Sequence, residues 1–200
     1  MFVEPSHRRE NQGLRTGWIE IICGSMFSGK TEELIRRLNR AKIARLKTQI
    51  FKPSFDSRYA VADIVSHNEN VIQSTPVDEA GDILRLIEDC DIVGIDEAQF
   101  FGEDIMRVCN ELANSGKRVI VAGLDMDYEG KPFGYMPQLM SMAEYVTKVH
   151  AVCMVCGGEA SYSYRLSKDK EQVLLGEADK YEARCRRCNN LGEKAKYLHP

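Results

Sequence analysis

The chain has 200 residues, 44% of them hydrophobic, with a formal net charge of -3. That much apolar material excludes a wholly disordered chain, and the acidic balance speaks against a protein built around nucleic acid, which ordinarily carries a basic footprint. No apolar stretch reaches the length of a membrane span.

The first 17 residues, MFVEPSHRRENQGLRTG, carry charges but no apolar centre. They do not read as a secretory signal, and a loose arm is expected. WIEIIC, residues 18–23, predicts a strand. TEELIRRLNRAKIARL predicts a helix with Leu34, Ile35, Leu38 and Ala41 on one stripe and Arg36, Arg37 and Arg40 on a solvated face. TQIF is the next strand, closed by Pro53, and a polar loop with Asp56, Arg58 and His67 follows. NVIQST predicts a short strand and DEAGDILRLIED a helix weakened by Gly81. DIVGID is a buried strand ending in acid. Residues 101–115 predict a helix with Phe101, Ile105, Val108, Cys109 and Leu112 on one face, stopped at Asn114-Ser115-Gly116. RVIVAGL is another strand, followed by a long loop over 123–137, a short helix over 138–144 and a strand, YVTKVHAVC. Strands alternating with helices predict an α/β fold, a parallel sheet with helices on its faces.

Three patterns carry chemistry. The first is GSMFSGKT, Gly24 to Thr31, between a predicted strand and a predicted helix. Its glycines let backbone N–H groups converge on phosphate oxygens, Lys30 supplies positive charge, and Thr31 offers a hydroxyl to magnesium. Gly24, Ser25, Met26, Phe27, Ser28, Gly29, Lys30 and Thr31 therefore form a candidate phosphate cradle. The second is Asp96-Glu97 at the end of DIVGID. Ligands of parallel sheets bind beyond the carboxyl ends of the strands, so Asp96 is expected to hold magnesium and Glu97 to orient the nucleophile and take its proton. A plain helix-capping role is the bland alternative for Asp96. The adjoining DEAQ is also found in nucleic-acid helicases, which keeps open a P-loop ATPase that grips nucleic acid.

The third pattern is a quartet, Cys153-x-x-Cys156 and Cys185-x-x-Cys188, with residues 157–184 between the pairs. Four thiolates at this spacing predict a closed, structural zinc site; four unconnected thiols or two disulfides are the alternatives. ASYSYRL and EQVLLG are expected to form a hairpin between the knuckles, and Arg184, Arg186 and Arg187 keep a nucleic-acid-binding ribbon in view. Cys23, Cys90 and Cys109 fall on apolar faces and read as core.

GSMFSGKT, then FDSRY, DEAQFF, LDMDYEGKPFG and the two cysteine pairs around GEADKYEARCRRC together resemble the thymidine kinases of the zinc-containing, cellular type, over residues 18 to 190. The resemblance implies a P-loop, RecA-like α/β domain at 18–148, a zinc-ribbon lobe with a lasso loop at 149–190 and a tail at 191–200. It implies transfer of the γ-phosphoryl of ATP to the 5'-hydroxyl of thymidine or deoxyuridine, with Mg2+ as cofactor and Zn2+ as structural metal. It further implies a cytoplasmic homotetramer inhibited by dTTP, with no nucleic-acid or membrane partner. Glu97 would be the base near the 5'-hydroxyl. Met26, Asp56, Arg58, Phe100, Leu124, Tyr128, Phe133, Ser163 and Tyr181 would surround the nucleoside. Tyr128 stands where family members also carry Phe. Read from residue type alone, Phe100, Tyr128 and Phe133 fit core packing as well as a base pocket, and Asp56 with Arg58 fits a surface pair. Loop 123–137 is expected to shield the transferring group from water, with Gly130 and Gly134 as its pivots.

Overall fold

A computed structural model of the chain describes residues 16–54, 63–64, 72–167 and 180–198. Asp56, Arg58, His67, the first 15 residues and EQVLLG lie outside them. In chain order, β1 (Trp18–Gly24) leads into α1 (Lys30–Ile43), β2 (Thr48–Pro53), the short β3 (Asp63–Ile64) and β4 (Ile72–Gln73), β5 (Thr75–Val77) and α2 (Ala80–Leu86). Then come β6 (Ile92–Ile95), a 3-10 turn at Ala98–Phe100, α3 (Asp104–Asn114), β7 (Arg118–Leu124), α4 (Met136–Met142) and β8 (Tyr145–Lys148). Six of these strands form one parallel sheet in the order β5-β2-β6-β7-β1-β8.

The alternation of side chains along each strand sorts the core into two layers. Ile19, Ile21 and Cys23 of β1 face the same way as Val93, Ile95, Val119 and Val121, and they pack with Ile83, Ile105, Val108, Leu112, Met136 and Leu139 from α2, α3 and α4. Ile22, Ile92, Ile120 and Ala122 face the opposite layer, against Leu34, Ile35, Leu38 and Ala41 of α1. Gly94 makes that approach close: a Cβ there would lie 3.1 Å from Leu38 Cδ1. Cys23, Cys90 and Cys109 are buried, as their apolar faces predict.

One residue departs from the solvated face predicted for α1. Arg37 is fully buried and donates to Glu20 Oε2 at 2.7 Å and to Glu33 Oε1 at 2.8 Å. Glu20 is buried in β1 and also receives Arg118 Nε at 2.6 Å and Trp18 Nε1 at 2.7 Å. A carboxylate facing inward from an apolar strand cannot stay unpaired, and α1 supplies the arginine that crosses the layer to meet it.

Other differences concern extent and pairing. NVIQST divides into β4 and β5. YVTKVHAVC also divides: Tyr145–Lys148 joins the main sheet beside β1, while β9 (Ala151–Val152) pairs antiparallel with β10 (Glu159–Ala160). The second strand predicted for the hairpin, EQVLLG, lies outside the described residues; among those described, β11 (Tyr162–Arg165) pairs antiparallel with β12 (Tyr181–Arg184). The last helix, α5 (Arg186–Leu198), runs through most of the expected tail. Lys196 Nζ anchors it to the Arg165 carbonyl at 2.6 Å. No described helix is long and apolar enough to cross a membrane.

Candidate active site

The segment after β1 is shaped by its backbone. Gly24 lies so close to the chain that a Cβ would sit 2.2 Å from the Val149 carbonyl oxygen. Gly29 adopts φ 80°, the left-handed conformation that glycine takes at least cost, immediately before α1. Ser28 Oγ and Lys30 Nζ both donate to the Ser25 carbonyl, at 2.7 and 2.8 Å. Ser25 Oγ is buried without a partner among the described residues. Burial lowers the pKa of the Lys30 ammonium, against the opposing pull of Glu97, Asp96 and Asp125. The loop thus presents backbone N–H groups, a helix N-terminus and one cation to a common point, which suits phosphate.

β7 lies between β1 and β6. Two strand spacings, about 10 Å, therefore separate the ends of β1 and β6. Thr31, on the first turn of α1, closes that distance: its Oγ1 donates to Asp96 Oδ2 at 3.1 Å. The Glu97 N–H donates to Asp96 Oδ1 at 3.0 Å. Burial first, then the Glu97 charge, pushes the Asp96 carboxyl up to about 7. Beyond the end of β7, Asp125 is buried with Oδ1 unpartnered, while Oδ2 receives Lys148 Nζ at 2.5 Å. A hydroxyl beside a buried carboxylate is a hard-oxygen set of the kind that magnesium takes. Thr31 and Asp96 fit that ion.

Glu97 adopts φ 52° and ψ 39°, an uncommon conformation for a residue with a side chain. It turns the chain sharply out of β6. Its Oε2 accepts from Gln99 Nε2 at 2.5 Å, and Gln99 Oε1 in turn accepts from the Leu124 N–H at 2.9 Å.

The remaining predicted residues fall into three contacts. Phe100 and the buried Phe133 meet edge to face, with centroids 5.7 Å apart. The Met26 N–H donates to Ser163 Oγ at 3.0 Å, tying the phosphate loop to β11. Tyr128 and Tyr181 flank one buried cation, Arg165, which lies 3.6 Å from the Tyr128 ring centroid and donates to Tyr181 Oη at 2.5 Å. Leu124 enters through its backbone bond to Gln99. Asp56 and Arg58 are outside the described residues.

Gln99, Asp125 and Arg165 were not singled out from the sequence. Asp125 had a signal: it follows a buried strand as Asp96 does. Gln99 had only its place two residues after Glu97. Arg165 had none, since a buried arginine inside ASYSYRL looks like any exposed one.

In the smaller lobe the sulfur atoms of Cys153, Cys156, Cys185 and Cys188 all lie within 4.8 Å of one another. A tetrahedral zinc with Zn–S bonds of about 2.3 Å needs sulfur atoms about 3.8 Å apart, and Cys156 Sγ to Cys185 Sγ measures 3.7 Å. The Cys188 N–H points at Cys185 Sγ, 3.4 Å away. Burial pushes the Cys153 thiol up, but backbone donors at Cys185, Cys156 and Val155 outweigh it and hold the group at about 6, while the Cys185 hydrogen bond pushes Cys188 up to about 12, so that the quartet shares its protons unevenly. A ready thiolate within such a quartet fits zinc.

A family model described as thymidine kinase matches residues 17–189. The chain is 61% identical over 176 residues to the thymidine kinase of Rhodothermus sp. (strain ITI 518), covering 88% of this chain and 83% of that protein. It is 59% identical over 174 residues to the thymidine kinase of Bacteroides fragilis (strain YCH46), covering 87% of each. To the thymidine kinase of Porphyromonas gingivalis (strain ATCC BAA-308 / W83) it is 58% identical over 175 residues, covering 88% of this chain and 86% of that one.

Proposed function

The chain belongs to the thymidine kinase family, and we propose that it transfers the γ-phosphoryl of ATP to the 5'-hydroxyl of thymidine, and of deoxyuridine, to give the 5'-monophosphate. The observation that carries this reading is the strand-end arrangement: Lys30 and Thr31 on one side, Asp96 and Glu97 on the other, with Thr31 bonded directly to Asp96. In the transfer, the nucleoside O5' forms a bond to the γ-phosphorus while the bond to the bridging oxygen breaks, and the hydroxyl proton goes to Glu97. Backbone N–H groups of the Gly24–Thr31 loop other than that of Met26, which is taken by Ser163, hold the phosphates, and Lys30 offsets the charge that moves toward the leaving oxygen. Thr31 and Asp96 would hold magnesium, which when bound neutralises phosphate charge. A base ring fits against Phe100 and Phe133, with Met26, Leu124, Tyr128, Ser163 and Tyr181 around it; Asp56 and Arg58 belong to the sugar and phosphate side. The zinc quartet has no open position for chemistry and serves to fix β11 and β12. With the resemblance goes a cytoplasmic homotetramer under feedback by dTTP, checked by sedimentation and by inhibition with added dTTP.

The test is incubation with labelled ATP, magnesium and thymidine, with and without single-stranded DNA. Labelled thymidine monophosphate, indifferent to DNA, is expected. Phosphate release that requires DNA, with no labelled nucleotide product, would overturn the kinase reading in favour of a nucleic-acid-coupled ATPase.

A further inference from the structure

Gln99 is almost fully buried, yet both ends of its amide are engaged. The backbone N–H of Leu124 can only donate, so the amide atom facing it at 2.9 Å must be Oε1. The other end is then the NH2 group, which donates to Glu97 Oε2 at 2.5 Å. The direction of the chain of hydrogen bonds is therefore fixed, and it terminates on a Glu97 oxygen acting as acceptor.

The backbone approaches Gln99 closely on two sides. A Cβ on Gly123 would lie 2.8 Å from Gln99 Oε1, and one on Gly134 would lie 2.4 Å from the Gln99 carbonyl oxygen. Both glycines flank or lie in the loop that follows β7, so the end of β7 and that loop close on Gln99 from two directions. Glu97 itself sits in a left-handed conformation, which side-chain contacts must help to maintain. Its Oε1 has no hydrogen-bond partner among the described residues.

We propose that Gln99 is a positioning residue for the phosphoryl transfer: it holds Glu97 by Oε2, leaves Oε1 as the atom that accepts the nucleoside hydroxyl proton, and keys that orientation to the backbone of Leu124 on the nucleoside side. The inference rests on the kinase reading above. A carboxylate free to rotate about its terminal bonds would offer its oxygens in many directions. A misplacement of about 1 Å at a reacting group is enough to cost about a hundredfold in rate.

A double-mutant cycle tests it in the full chain. Gln99→Met removes both polar ends at similar length. Gln99→Asn keeps them but is one methylene too short to span Glu97 and Leu124, and it provides a second route should the first variant fold poorly. Each is combined with Glu97→Gln, and kcat is expressed per ATP-binding site measured by titration. The expected result is a fall in kcat of about tenfold to a hundredfold in either single variant, with KM for ATP nearly unchanged. In the Glu97→Gln background the same change should cost less than about twofold, since two residues acting as one unit do not add. Full multiplication of the two losses, or an unchanged kcat per binding site, overturns the role of Gln99 while leaving the kinase reading intact. A wild-type chain that phosphorylates no nucleoside overturns both.

Discussion

At position 97 the chemistry and the backbone make opposite demands. The proposed proton acceptor sits at the strand end, and the chain turns out of β6 there in a left-handed conformation, at φ 52°. A side chain there costs on the order of 1–3 kcal/mol, so the conformation is one that the fold imposes. Glu97→Gln keeps the shape and removes the proton acceptor. It should lower kcat by about 10²- to 10⁴-fold while ATP affinity, measured by calorimetry, stays nearly the same. An equal loss of both would contradict the assignment. Gly134, at φ 51° against the Gln99 carbonyl, gives a complementary test. Gly134→Ala should destabilise the protein by about 1–3 kcal/mol in urea unfolding and depress kcat through the displaced glutamine. At Glu20 the issue is charge. Glu20→Gln removes the carboxylate that the buried Arg37 and Arg118 share, while Arg37 keeps Glu33, and should cost about 1.5–3 kcal/mol of stability. The sequence showed the carboxylates by their place at strand ends. It could not show Gln99 or Arg37, because what buries them comes from elements far away in the chain.

At the scale of elements, periodicity made most of the sheet legible. IVGI, RVIVAGL and WIEIIC are short apolar runs bounded by turn signals, and each is a strand. The stripe of Leu34, Ile35, Leu38 and Ala41 is the buried face of α1. Partner choice was not legible: nothing local in YSYR indicates pairing with Tyr181–Arg184, across an intervening segment, in preference to a nearer run. The lobe gets this pairing in part from its cysteines, since Cys153 follows β9 directly and Cys185 follows β12 directly. β11 and β12 carry Ser163 and Tyr181. Removing zinc with a strong chelator should therefore raise KM for thymidine much more than KM for ATP and loosen β11 and β12 in hydrogen exchange. Equal effects on both substrates would mean that the lobe supports the whole fold and not the nucleoside side.

Considered as a whole, the molecule gathers its acids at one edge of the sheet. Asp96, Glu97 and Asp125 follow β6 and β7 at the carboxyl ends, where Lys30 is the nearby cation that all three act on. With Asp96 held at about 7 by burial and by Glu97, the magnesium proposed there would have to compete with a proton for that carboxylate. Magnesium affinity in the nucleotide-free protein should weaken as the pH falls below about 7, and Asp96→Asn should flatten that dependence in a metal titration across pH 6 to 8. The overall architecture was readable beforehand from alternating strands and helices. The order of strands, with β7 between the phosphate loop and the acids, was not, because parallel strands are joined by long crossovers and their neighbours leave no trace in local pattern.

The bond between the Met26 amide and the Ser163 hydroxyl ties the phosphate loop directly to β11. With the nucleoside site at β11 as proposed, a change that binding makes in β11 would reach the phosphate loop through this bond, and any coupling would run equally in reverse. The factor by which thymidine alters the dissociation constant of a non-hydrolysable ATP analogue therefore has to equal the factor by which that analogue alters the constant for thymidine. Ser163→Ala, which cuts the tie, should bring both factors toward one, leaving each ligand to bind as though the other were absent.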